Sequence, residues 1–113
     1  LCVNVMGDAA FGMVGMDFET AVRCRIPILT VVLNNNLMGG YEKYLPVATA
    51  KFGARYLSGN YAKVAEGLGG YTERVEKPED LAPAIRRAVA EVEAGRPALL
   101  EVMTREEAVF PAG

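Results

Sequence analysis

The stretch Ile28–Asn36, ILTVVLNNN, decides how the rest of the chain reads. Six residues in a row are apolar or β-branched, the composition of a strand buried on both faces. The strand then ends in three amides, Asn34, Asn35 and Asn36, where one would suffice for a turn. On its other side Pro27 bars a helix from continuing and biases Ile26 toward extended geometry. Upstream, from about Met13 to Cys24, apolar Met13, Met16, Ala21 and Cys24 alternate with Asp17, Glu19, Thr20 and Arg23, which predicts a helix with a core face. Before it, LCVNVM (1–6) reads as another buried strand, closed by Gly7-Asp8.

Downstream, 36–58 lacks clear periodicity and reads as a long connection, of the kind that is functional or disordered. Its Tyr41, Tyr44 and Tyr56 suit either a lid or surface anchors of the loop. NYAKVAEGLGG (60–70) resumes helical spacing and stops at Gly69-Gly70. YTERVE (71–76) is a strand polar at alternate positions, hence near a sheet edge. KPEDLAPAIRRAVAEVEAG (77–95) is a helix with Pro78 at its start, Glu79 and Asp80 in the first turn and Gly95 at its close. Its expected apolar stripe is Leu81, Ile85, Ala88 or Val89, and Val92. PALLEVMT (97–104) is a fourth strand, and the residues through Phe110, Pro111 and Gly113 read as a tail or docking segment. Strands alternating with helices, two of them continuous apolar runs, predict an α/β fold: a doubly wound, mainly parallel sheet with helices on both faces.

Composition narrows the functional classes. The chain has 113 residues, 51% of them hydrophobic, and a net charge of −2, which fits one folded domain. Its Lys and Arg residues form no basic stripe, which argues against nucleic acid. No apolar run reaches membrane-spanning length and no signal peptide is visible. There is no histidine, so Ser-His and Cys-His catalysis are excluded within the chain. Cys2 and Cys24 have no metal-ligand spacing and read as buried, reduced thiols of a cytoplasmic protein. The chain opens at Leu1, inside an apolar run, and is expected to be a piece of something longer.

In open parallel sheets, ligands bind beyond the carboxyl ends of strands. Here one strand ends in Gly7-Asp8-Ala9-Ala10 before a helix, and the next ends in Asn34-Asn35-Asn36. If the two strands are neighbours, Asp8 and Asn35 share a rim. A carboxylate and carboxamide oxygens suit a hard cation such as Mg²⁺ or Ca²⁺. A helix start with small residues offers N–H groups to phosphate. Together they describe a Mg²⁺-bridged diphosphate site.

GDAAFGMVGMDFETAVRCRIPILTVVLNNN (7–36) resembles the diphosphate-binding motif of thiamine diphosphate (ThDP) enzymes: Gly-Asp-Gly, about two dozen residues, then Asn-Asn at a strand end. Asp8 and Asn35 stand 27 positions apart, and Phe11, Asp17, Thr20 and Pro27 also agree. The similarity is greatest to the acetolactate synthase-like branch, which includes 2-oxo acid decarboxylases and oxalyl-CoA decarboxylase, and it weakens after Asn35. The resemblance implies Mg²⁺ held by the Asp8 and Asn35 side chains and the Leu37 carbonyl. It also implies a cofactor site of Gly7, Asp8, Ala9, Ala10, Asn35, Leu37, Met38 and Gly39, with amides near Ala9, Ala10, Met38 and Gly39 facing the diphosphate. Asn34 is expected to pin the turn, and Asn36 receives no role.

Ala9 departs from the family's usual Gly. Were φ positive there, Ala would cost roughly 1 kcal/mol; were the position helix-like, Ala would cost nothing, and this second option is favoured. The resemblance further implies that 1–113 is a partial pyrophosphate-binding domain, truncated at its N-terminus. The pyrimidine-binding domain, with its activating glutamate, and the central domain are not in the chain. The chain alone would then be inactive. Its parent would act on a 2-oxo acid or acyl-CoA substrate as a homo-oligomer, a dimer or tetramer. Two other readings stand beside this one: a non-catalytic α/β phosphate- or nucleotide-binding module, and an assembly domain with a decayed motif.

Overall fold

The computed structural model describes residues 1–106. Its elements run β1 (Cys2–Gly7), α1 (Asp8–Val14), α2 (Asp17–Arg23), β2 (Ile28–Asn34), α3 (Tyr41–Tyr44), α4 (Pro46–Phe52), α5 (Tyr61–Gly67), β3 (Tyr71–Val75), α6 (Pro78–Glu93) and β4 (Ala98–Met103). The four strands form one sheet in the order β1-β2-β4-β3, and every pairing is parallel. The expected α/β class is the one found, and β3 lies at an edge as its alternation predicted. The proposed tail through Phe110, Pro111 and Gly113 lies outside the described residues.

Alternation along the strands divides the core into two layers. Leu29, Val75, Ala98 and Leu100 pack with Ala84, Ala88 and Val92 of α6 on one face. Val32 and Leu99 pack with Phe11, Phe18, Ala62 and Ala65 of α1, α2 and α5 on the other. Leu99 and Leu100, adjacent in β4 and both fully buried, each serve one layer. In α6 the buried stripe is Ala84, Ala88 and Val92, flanked by Leu81 and Val89, whereas Ile85 is 40% exposed. The small alanines let the helix approach the sheet closely, and the larger Ile85 falls off that face.

Three further expectations are corrected. The single helix from Met13 to Cys24 is two helices, and it begins earlier, at Asp8. They bend at Gly15, whose N–H donates to Phe11 O and where a Cβ would lie 2.6 Å from that carbonyl. The bend turns Phe11 and Phe18 together into the core, so that Met13 and Met16 are exposed instead. Strand β1 is also less buried than its apolar run suggested. Among the described residues it pairs only with β2, and Val3 and Val5 remain 49% and 60% exposed because α6 covers the sheet over β2, β4 and β3. Cys2 and Cys24 are free thiols as expected, but exposed rather than buried.

The long connection is not irregular. It carries α3 and α4, and its base is closed by an antiparallel bridge between Leu37 and Tyr56. Met38 N–H donates to Arg55 O and Leu57 N–H to Asn36 O, each at 2.8 Å. Arg55 stacks over the Tyr56 ring and pairs with Glu42 and Glu106, which ties this excursion to the chain beyond β4.

Candidate functional site

Parallel pairing sets Gly7 beside Leu33, so β1 and β2 end at the same rim. A cleft of about 520 Å³ opens there. All eight residues expected at a cofactor site line it: Gly7, Asp8, Ala9 and Ala10 from the β1–α1 turn, and Asn35, Leu37, Met38 and Gly39 from the segment after β2. The sheet thus brings together two segments that the sequence separates by nearly thirty positions.

The β1–α1 turn is built from Gly7, extended at φ −79° and ψ 164°, followed at once by helix. Asp8 opens α1 and is 2% exposed. Its Oδ1 accepts the Ala9 N–H at 2.9 Å, while Oδ2 is buried without a hydrogen-bond partner among the described residues. A buried, unanswered carboxylate oxygen carries the cost of desolvation, about 1–3 kcal/mol or more. Ala9 lies within α1 and is not among the residues with positive φ, so the helix-like alternative holds and Ala is unstrained there. Ala9→Gly is therefore expected to lower thermal stability by about 0.5–1 kcal/mol through backbone entropy. A rise in melting temperature would contradict this.

After β2 the three asparagines divide their tasks. Asn34 is fully buried, and its Oδ1 accepts the Asn36 N–H at 2.9 Å. Asn35 repeats the pattern one residue on, Oδ1 accepting the Leu37 N–H at 3.0 Å. These overlapping turns place Asn36 at φ 58°, a left-handed conformation that Asn tolerates better than most residues. The Asn34 carbonyl is held by the Thr104 N–H at 2.8 Å. Asn34 therefore pins the turn, as expected. Met38 differs from expectation in one respect: it lines the cleft, but its N–H is committed to Arg55 O and closes the loop.

Sequence reasoning missed several neighbours. Met13, Leu33 and Thr104 also line the cleft, beside Tyr41, which the sequence offered as part of a lid or as a loop anchor. Thr104 follows β4 at the same rim, a position the strand assignment alone could have flagged. The larger omission is Glu101, a carboxylate inside the apolar strand ALLEVM and fully buried. It accepts from Asn34 Nδ2 at 2.7 Å, Arg74 Nη1 at 2.9 Å and Ala62 N–H at 2.9 Å. Tyr61 packs edge-on against Phe11, and its hydroxyl is pushed above its ordinary range by burial first and then by the charges of Asp8 and Glu101. Among the described residues the cleft lining holds one acid, Asp8, and no Lys or Arg, a setting in which a cation would be attracted. Among the described residues no three His, Cys, Asp or Glu side chains gather as a metal cage. Any ion here would need amide, carbonyl or ligand oxygens to fill its shell.

An open parallel sheet with a cleft at the carboxyl ends of two adjacent strands, floored by a helix start and an amide turn, defines a ligand-binding α/β domain. Residues 1–102 match the family described as the thiamine pyrophosphate enzyme, C-terminal TPP binding domain. The chain belongs to that family. It is 36% identical to the acetolactate synthase large subunit IlvG of Mycobacterium tuberculosis over 117 residues, covering 96% of this chain and 20% of that protein. It is 32% identical to human 2-hydroxyacyl-CoA lyase 1 over 124 residues, covering 99% and 20%. The fold is shared with the thiamine diphosphate-dependent 4-hydroxybenzoylformate decarboxylase of Rhodococcus jostii RHA1, with a TM-score of 0.78 at 24% identity, over 95% of this chain and 20% of that one. The chain spans about a fifth of the length of these relatives. Among the described residues no helix is long and apolar enough to cross a membrane.

Proposed function

We propose that this domain holds Mg²⁺ and the diphosphate of ThDP within a larger cytoplasmic, oligomeric enzyme of the acetolactate synthase-like branch, which decarboxylates or ligates 2-oxo acids. The observation that carries the reading is Asp8 Oδ2, buried, partnerless and part of the wall that Asn35 and Leu37 also line. A divalent cation would satisfy it and offset its desolvation. Asp8, the Asn35 carboxamide and the Leu37 carbonyl are an all-oxygen set of the kind Mg²⁺ takes, completed by phosphate oxygens and water. The donors present therefore fit the ion.

The chain's own residues bind and orient. The Ala10 and Gly39 amides are assigned to the diphosphate, with Ala10 in the first turn of α1, where N–H groups lack intrahelical acceptors. Ala9 N–H keeps Asp8 Oδ1 in place, which leaves Oδ2 for the metal. Bound ThDP supplies the nucleophilic carbon of 2-oxo acid chemistry. The glutamate that activates the cofactor is assigned to a pyrimidine-binding domain outside this chain, so the chain alone turns over no substrate.

The test is a thermal shift with ThDP plus Mg²⁺, set against Mg²⁺ with ATP or with FMN. The expected result is stabilisation by ThDP only when Mg²⁺ is present, by about 2.7 kcal/mol at a hundredfold excess of ligand over Kd. Stabilisation by ATP or FMN instead would favour a general phosphate-binding module. No shift with any ligand would favour an assembly domain.

A further inference from the structure

Glu101 lies in the central part of the sheet, on the face covered by α5, with no role in the metal and diphosphate assignments above. Its carboxylate gathers donors from three elements: Asn34 at the end of β2, Arg74 of β3 and the Ala62 N–H at the start of α5. Glu101 is 0% exposed and Asn34 is 0% exposed, so the bond between them is shielded from water.

The consequence lies in the asymmetry of an amide. An Asn side chain can rotate to exchange its oxygen and nitrogen, and only its surroundings choose between the two orientations. An ionised carboxylate can only accept, so Glu101 requires Asn34 to present Nδ2 to it. That orientation leaves Asn34 Oδ1 on the opposite side, where it accepts the Asn36 N–H and forms the first of the two turns. Reversed, Asn34 would set an NH₂ group against that N–H, and the turn would lose its acceptor. Asn35 stands inside this turn, and the second turn, from Asn35 Oδ1 to the Leu37 N–H, follows directly from it.

We propose that Glu101 is a positioning residue of the cofactor site. Acting through Asn34, it sets the direction in which Asn35 and the Leu37 carbonyl face the cleft. The proposal rests on the metal–diphosphate reading given above, and on nothing beyond the contacts named.

The test is calorimetric titration of the full chain with Mg²⁺ and ThDP, paired with melting curves in the absence of ligand. Asn34 Nδ2 and Arg74 Nη1 share Glu101 Oε1 and the Ala62 N–H takes Oε2, so Gln would keep its oxygen on Asn34; Glu101→Leu instead removes the acceptor from Asn34 altogether. It is expected to weaken Mg²⁺-dependent ThDP binding by about 10–100-fold, the usual effect of losing a partner behind a metal ligand. Val92→Ala, in the core layer on the opposite face, serves as the control for general loss of stability and should bind as wild type does. The double variant Asn34→Asp with Glu101→Gln rebuilds the bond with its donor reversed. The amide introduced in β4 donates to the carboxylate introduced at the end of β2, that carboxylate still accepts the Asn36 N–H, and Arg74, which shared Oε1, turns to the new carboxylate and to Glu76. The double variant should recover most of the lost affinity, while Asn34→Asp alone, which sets two carboxylates together, should bind poorly.

Wild-type affinity in Glu101→Leu, an equal loss in Val92→Ala, or a double variant no better than Glu101→Leu would each overturn the proposal. If Glu101→Leu does not fold, the double variant decides: folded with restored binding supports the assignment, whereas folded without binding, or unfolded, overturns it. A wild-type chain that does not bind ThDP overturns the diphosphate reading itself. Binding that Glu101→Leu leaves undisturbed overturns only the positioning role.

Discussion

Asp8→Asn is expected to reduce Mg²⁺-dependent ThDP affinity by about two decades while leaving the ligand-free protein at least as stable as before. The two halves of this result have one cause. Asp8 Oδ2 is buried and unanswered in the ligand-free chain, so its charge is a liability there and an asset only beside a cation. Removing one partner of a buried charge pair costs about 3–5 kcal/mol, and each 1.4 kcal/mol is about tenfold in Kd. Against this, Asn keeps the volume of Asp and an oxygen for the Ala9 N–H, so no cavity opens and that bond survives. The NH₂ group of Asn is left as unpaired as Oδ2 was, but it carries no charge, and the smaller cost of burying a neutral group offsets the lost attraction to the helix start, about 0.3–1 kcal/mol. Calorimetry and melting of the same samples check both halves. A variant that loses stability without losing affinity would make Asp8 a helix cap and nothing more.

The largest effect on stability is expected at Glu101. Glu101→Ala should destabilise the fold by about 3 kcal/mol, the lower end of the range for breaking a buried pair. Two of its three donors, Asn34 Nδ2 and the Ala62 N–H, are held inside and lose their acceptor outright. The third, Arg74, is 27% exposed and also reaches Glu76, so water and that neighbour replace much of what it loses. This is why the lower end applies. The Lys63–Glu66 pair, exposed at 72% and 58%, has no comparable weight, since water competes for both ends. Urea unfolding measures the difference, and a loss below about 1 kcal/mol would mean that the network is not shielded as described.

Much of this was legible in the sequence because the relevant signals are local. Pro27 followed by six apolar or β-branched residues and an amide cluster defines β2 and its end, and Pro78 with Gly95 brackets α6. The order of strands and helices then leaves few arrangements, and adjacent parallel β1 and β2 bring Asp8 and Asn35 to one rim. What the sequence obscured depends on contacts between distant segments. The core face of α1 and α2 follows Phe11 and Phe18 rather than Met13 and Met16, because a bend at Gly15 breaks the single period on which the reading relied. Val3 and Val5 have the composition of a covered strand, yet cover is decided by where α6 lies across the sheet. Glu101 was visible as an acid within an apolar strand. Its partners, Asn34, Arg74 and the α5 start, are brought to it only by strand order.

The proposed chemistry requires one divalent ion shared by Asp8, Asn35 and Leu37 beneath a diphosphate. Crystals of the chain grown with ThDP and Mn²⁺, with diffraction recorded for manganese anomalous scattering, would locate that ion. The expected result is a single strong peak in the cleft, within about 2.0–2.3 Å of an Asp8 carboxylate oxygen, Asn35 Oδ1 and the Leu37 carbonyl. A peak elsewhere, or diphosphate seated in the cleft with no metal between Asp8 and Asn35, would contradict it.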